Sequence, residues 1–100
     1  MVMLLLDIPS AQAISLTGPQ LFEAQCAGCH AGGGNIIRWG KNLKLTTLQK
    51  NNLDTQDAIV NLVTVGKGNM SAYRDRLTTE EIQTVSAYVL AQAAQNWKSE

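Results

Sequence analysis

Cys26-Ala27-Gly28-Cys29-His30 is the stretch around which the rest of this chain is read. Two thiols three residues apart share one helical face, and an imidazole directly follows the second. This is C-x-x-C-H, the attachment signature of a c-type haem. Each thiol can form a thioether to one vinyl group, which leaves the imidazole held over the iron. Both links are local, so they cost the chain little entropy, and the cofactor cannot be lost. Cys26 and Cys29 are therefore the expected covalent attachment residues for one haem c, and His30 the expected proximal iron ligand.

Other uses of two cysteines fit less well. A thioredoxin-like pair needs a strand leading into a helix, and no alternating strand pattern appears. A zinc site needs about four ligands, more than two thiols and a single histidine supply. A structural disulfide would leave the small core of such a chain unexplained.

Because His30 is the only histidine, a second axial ligand must come from another residue type. A methionine thioether opposite a histidine gives a closed electron-transfer site. Met1 and Met3 lie in the N-terminal apolar segment, which leaves Met70 in the loop Gly66-Lys67-Gly68-Asn69-Met70-Ser71-Ala72-Tyr73. Gly66 and Gly68 are expected to let the backbone approach the porphyrin closely. A lysine ligand and an open sixth position are the alternatives.

One hundred residues fit one domain. A 45% hydrophobic composition is too apolar for disorder, and 16% charged residues are too few for a nucleic-acid arm. Eight bases balance eight acids, so no net field draws the chain to nucleic acid or to an acidic membrane. No run of apolar residues is long enough to span a bilayer. The start, Met1-Val2-Met3-Leu4-Leu5-Leu6 and then Ala11-Gln12-Ala13, is apolar and ends in A-x-A, like the close of a secretory signal cleaved after Ala13. No base precedes the short apolar run, so residues 1–13 are read as a signal-peptide remnant, with an ordinary tail as the alternative.

The remaining pattern is all-α. Thr17 or Gly18 can cap a helix with Pro19 in its first turn, and Leu21, Phe22, Gln25, Cys26 and Cys29 continue at helical spacing. Gly32-Gly33-Gly34 ends it. A short helix is expected at 46–52, and a further one capped by Asp54, with Asp57 in its first turn and Gly66 as its stop. Thr78 and Glu81 form a capping box for a last helix carrying Ile82, Val85, Val89, Leu90 and Ala93.

With these residues placed, the chain resembles the class I c-type cytochromes, and among them the cytochrome c6 family of cyanobacteria and algae. The resemblance runs from about Ala13 to Trp97. It is carried by Cys26–His30, Ala58-Ile-Val-Asn61, Gly66-Lys-Gly68 before Met70, Arg76-Leu77 before an acidic helix start, and Ser86-Ala87-Tyr88-Val89-Leu90-Ala91-Gln92-Ala93. It implies a class I cytochrome c domain over 14–100, with about four helices wrapped around one haem. It also implies a monomeric one-electron carrier in the thylakoid lumen or periplasm, between the cytochrome b6f complex and photosystem I or on a related lumenal path. Filled coordination argues against an enzyme. A haem-based sensor or peroxidase-like protein with a displaceable Met70 is the alternative.

The resemblance places Gly18 and Phe22 where the first and last helices cross, near Tyr88, so a valine at Gly18 should hinder folding. It aligns Arg76 with an arginine associated with docking to the photosystem; the other reading is a solvated charge beside Asp75. Two positions depart from the usual pattern. Leu62 stands where a glutamine is usual, and Ser71 follows Met70 where proline is usual. Loss of the glutamine resembles the low-potential c6-like subgroup (c6B/c6C), so a lower potential than that of ordinary cytochrome c6 is expected. Trp39 and Arg38 are candidates to wall the haem edge, with a buried packing role for Trp39 favoured. Tyr73 is expected to hydrogen-bond near the haem or to pack. Lys41, Lys44, Lys50 and Lys67 read as a solvated face, with a docking rim around the exposed haem edge as the alternative, and Trp97 as a cap on the last helix.

Overall fold

The computed structural model describes residues 16–98, and the segment read as a signal remnant lies outside them. Five α-helices follow in order: α1 Gly18–Gln25, α2 Ala27–His30, α3 Leu45–Lys50, α4 Gln56–Val65 and α5 Thr79–Ala94. Two 3-10 turns, Ala31–Gly33 and Trp39–Lys41, lie between α2 and α3. Among the described residues the only β-type pairing is an isolated bridge between Lys67 and Met70.

Local chemistry sets the helix starts. Thr17 caps α1: its Oγ1 accepts from the Gln20 N–H at 3.3 Å, and Gln20 Oε1 accepts from the Thr17 N–H at 2.9 Å. The same reciprocal pair, Thr78 with Glu81, opens α5 at 3.0 and 2.8 Å. The cap of α4 is Thr55 rather than Asp54; its Oγ1 accepts from the Ala58 N–H at 3.1 Å. Both residue types can cap, and the extended backbone of Thr55 puts its hydroxyl in reach. The short helix begins at Leu45, one residue before the expected start, and ends at Lys50. Asn52, just beyond, takes a positive φ of 59° and turns the chain away.

The helix expected to run through Cys29 breaks at Cys26. There φ is −120°, and the Cys26 carbonyl accepts from the N–H groups of both Cys29 and His30, at 3.2 and 3.0 Å. That double acceptance winds a tight turn around the cysteine pair and raises the helix count above the four expected.

α5 packs across α1 and α4. Leu21 and Phe22 from α1, Leu48 from α3, Ile59 and Val63 from α4, Leu77, and Ile82, Val85, Val89 and Ala93 from α5 form the buried core. The α1–α5 crossing depends on Gly18: a Cβ there would lie 2.7 Å from the Tyr88 Cβ. Phe22 meets the Tyr88 ring at 5.6 Å and the Trp97 ring at 5.2 Å.

Trp97 closes α5 through its backbone, donating to the Gln92 carbonyl at 2.8 Å. Its side chain does more than cap. It completes the aromatic cluster, and its Nε1 donates to the Leu43 carbonyl at 3.0 Å. A Cβ on Gly33 would lie 2.6 Å from the indole, so only glycine allows this contact. The last residues of the fold thereby lock the loop that follows the cysteine motif.

Candidate functional site

Cys26, Cys29 and His30 lie on one short turn, all half-buried. Both cysteines are free thiols, and burial pushes the Cys26 thiol up to about 11, so an unlinked Cys26 stays neutral at ordinary pH. His30 Nδ1 lies 2.7 Å from the Gly34 carbonyl oxygen. A carbonyl only accepts, so Nδ1 carries the proton and Nε2 keeps its lone pair for a metal. This is the outer hydrogen bond that orients a ligating imidazole and raises its basicity. Gly32, at φ 64°, and Gly33, at φ 83°, turn the chain back so that the Gly34 carbonyl reaches the ring.

Met70 lies half-buried against the core, as does Cys26. Its loop is pinned at three places. Lys67 and Met70 exchange two backbone hydrogen bonds, at 2.9 and 3.0 Å. The Tyr73 N–H donates to the Val63 carbonyl at 2.9 Å, and the Tyr73 hydroxyl donates to the Gln25 carbonyl at 2.9 Å. The last bond ties the methionine loop to the residue just before Cys26. Gly66, at φ 74°, is required by the loop's own backbone. A Cβ there would lie 2.7 Å from the Met70 carbonyl oxygen and from the Ala72 nitrogen, so the loop folds back on its own backbone. Gly68 has open space around it.

These residues fit a haem. The donor set is two thiols, an imidazole with a free Nε2, and a thioether on a pinned loop. Leu43, Leu45, Leu53, Val60 and Leu90 are half-buried apolar groups at the edge of the core, the kind of surface a flat apolar macrocycle would cover. Among the described residues no group of three His, Cys, Asp or Glu side chains gathers as a site for a bare metal ion.

One expectation needs correction: Trp39 is not buried packing; it is 83% exposed. Arg76 is exposed, as both of its readings require, and its guanidinium carbon lies 5.0 Å from the centroid of the Tyr73 ring, a cation–π contact. The Tyr73–Gln25 bond joins positions 48 residues apart, and no local signal announces it.

This fold and donor set define a class I c-type cytochrome. Residues 15–89 match the family model described as cytochrome c oxidase, cbb3-type, subunit III. A "cytochrome c6-like" protein of Nostoc sp. is 52% identical over 90 residues, covering 90% of this chain and 81% of the relative. A cytochrome c6 of Aphanizomenon flos-aquae is 48% identical over 86% of this chain and 99% of its own length. The crystal structure of a Synechococcus cytochrome c6C superposes with a TM-score of 0.79 at 61% identity, covering 80% of this chain and 98% of that one. The chain belongs to the cytochrome c6 family, in its c6-like subgroup. Members carry one covalently attached haem c and act as electron carriers, and this chain is one of them.

Proposed function

We propose that Cys26 and Cys29 hold the haem covalently and that His30 and Met70 are its axial ligands. The observation that carries this is the Nδ1 bond of His30 to Gly34, which leaves Nε2 as a dedicated metal donor. When bound, the haem supplies a one-electron iron couple. The protein does the rest. Cys26 and Cys29 fix the group in place, the Gly34 carbonyl orients the imidazole, and Tyr73 holds the Met70 loop against the start of the cysteine motif. His30 and Met70 together leave no position for an exogenous ligand. The chain therefore carries electrons and turns over no substrate.

The c6 relatives support an exported carrier of the thylakoid lumen or periplasm, with 14–100 as the working domain. Its donor and acceptor are the cytochrome b6f complex and photosystem I, or partners on a related lumenal path. Arg76, braced on Tyr73, is the proposed docking arginine for the photosystem. No helix among the described residues is long and apolar enough to cross a membrane. The test is to follow the haem-loaded chain as b6f particles reduce it and photosystem I particles oxidise it. Turnover with both supports the reading. Rapid carbon monoxide binding to the ferrous protein, with neither particle reacting, would favour the sensor alternative.

A further inference from the structure

The hydrogen bond that orients the proximal imidazole ends on the softest backbone in the chain. The Gly34 carbonyl accepts from His30 Nδ1 at 2.7 Å, yet it closes the run Gly32-Gly33-Gly34. Gly32 and Gly33 sit at φ 64° and 83°, and glycine reaches many other conformations at little cost. The triplet cannot hold the carbonyl in place by its own stiffness, so the restraint comes from outside it.

Three backbone bonds reach the segment. The Gly34 N–H donates to the Ala31 carbonyl at 3.1 Å, the Ile36 N–H to the Cys29 carbonyl at 3.0 Å, and the Leu43 N–H to the Gly33 carbonyl at 2.7 Å. The last of these closes the base of the loop 33–43. Two asparagines clasp that loop from within. Asn35 Oδ1 accepts from the N–H groups of Ile37 and Arg38 at 2.9 and 2.7 Å, and Asn42 Nδ2 donates to the Trp39 carbonyl at 3.1 Å. A loop tied in this way moves as one piece, so whatever holds its base also holds Gly34.

Trp97 grips that base from the far end of the chain. Its Nε1 donates to the Leu43 carbonyl at 3.0 Å, and its ring lies so close to Gly33 that a Cβ there would stand 2.6 Å from the indole. The indole therefore spans both residues that close the loop. The backbone bends unusually to put it there. Asn96 and Trp97 follow α5 at φ 58° and 57°. Asparagine tolerates this left-handed region, but a bulky residue in it is an outlier. Such a conformation persists only where the surroundings over-determine it. Here the Trp97 N–H donates to the Gln92 carbonyl at 2.8 Å and the ring meets Phe22 at 5.2 Å, besides the bond to Leu43. Ending a helix needs none of this, since glycine or asparagine does it without strain.

We propose that Trp97 is a positioning residue for the proximal ligand: wedged between Gly33 and the Leu43 carbonyl, it fixes the Gly34 carbonyl against His30 Nδ1 and so sets the donor strength of His30 Nε2. The inference rests on the proposed ligation by His30 and adds a residue that touches neither the imidazole nor the cysteines. A firm Nδ1 bond makes the imidazole more basic. A stronger donor favours the ferric state, so the wedge holds the midpoint potential down. Loosening it raises the potential while every ligand stays in place.

The test compares haem-loaded wild type, W97A, W97F and Y88L by three measurements: solvent exchange of the His30 Nδ1 proton in the ferrous protein by NMR, the midpoint potential, and Tm. Y88L is the control for general loosening, since it removes an aromatic neighbour 6.1 Å from Trp97 without removing the Leu43 bond. W97A should exchange the Nδ1 proton about tenfold faster or more, because the bond opens more often, and its midpoint should rise. W97F keeps a ring against Gly33 and loses the bond to Leu43. It should shift both quantities in the same direction by less, and it carries the test if W97A does not take up haem. Y88L should lose Tm while its exchange and midpoint match wild type. Variants at Trp97 that lose Tm but match wild type in exchange and midpoint reduce the residue to a helix cap and overturn the proposal. A midpoint that falls or stays put in W97A also overturns it, as do shifts in Y88L as large as those in W97A. A wild type whose His30 signals carry no haem-induced shift refutes the ligation itself, which separates that failure from failure of the wedge.

Discussion

The Tyr73 hydroxyl donates to the Gln25 carbonyl at 2.9 Å, joining the two segments that bear the proposed iron ligands. Gln25 ends α1 one residue before Cys26, and Tyr73 stands three residues after Met70. Without this bond the methionine loop would be held to the helices chiefly through its own backbone.

Tyr73→Phe should therefore cost about 1 kcal/mol, the net worth of one partly buried hydrogen bond. In a domain this small that is roughly 4–8 °C in Tm. The variant should also bind carbon monoxide faster, because a looser loop lets the thioether leave more often. Thermal melts and stopped-flow binding check both effects; a variant unchanged in either shows that the bond does not restrain Met70.

The two loop glycines should differ when each is changed to alanine. Gly66 combines a positive φ with backbone atoms 2.7 Å from a new Cβ, whereas Gly68, at φ 58°, has open space. Gly68→Ala should cost about 1–2 kcal/mol of backbone strain. Gly66→Ala should cost clearly more and disturb the Met70 ligand, since relief of the clash requires the Met70 and Ala72 backbone to move. Chemical denaturation ranks the pair, and equal losses would count against the close approach.

How far the sequence carries depends on how local the cause is. The Thr17–Gln20 and Thr78–Glu81 boxes and the Gly66 stop use atoms within a few residues, and pattern reading found each of these helix ends. The cysteine motif was legible for the same reason, and Met70 stands out as the proposed second ligand because so few metal donors are available. The break at Cys26, the indole of Trp97 on the Leu43 carbonyl and the Tyr73–Gln25 bond were not, because long-range packing decides them. Trp39 misled because hydrophobicity predicts burial, while the Asn35 and Asn42 clasps hold the loop outward.

At the α1–α5 crossing, Gly18→Val should destabilise by more than overpacking at an open site would. Its Cβ alone would lie 2.7 Å from the Tyr88 Cβ and 3.4 Å from the Thr84 carbonyl oxygen. Overpacking a well-packed contact costs about 1–3 kcal/mol, and the upper end is expected here. Yield of folded, haem-loaded protein and a denaturation midpoint measure it. A near-neutral variant would mean that the helices can part without loss.

Leu62 is half-buried on α4, and its carbonyl accepts from the Gly66 N–H at 2.7 Å. The c6-like resemblance associates loss of a glutamine here with a lower midpoint potential, so Leu62→Gln should raise it. A simple polarity argument gives the opposite sign, since a nearby dipole tends to favour the more highly charged ferric state. Voltammetry of the pair decides between them: an upward shift supports direct action of the amide on the haem or its ligand, and a fall or no change refutes it.

The axial pair is tested most directly by the ferric absorption spectrum of the haem-loaded protein beside that of Met70→Ala. The account predicts a weak methionine–iron charge-transfer band at the red edge of the visible spectrum in the wild type and its complete loss in the variant. A wild type without the band, or a variant that keeps it, would contradict the assignment of Met70 opposite His30.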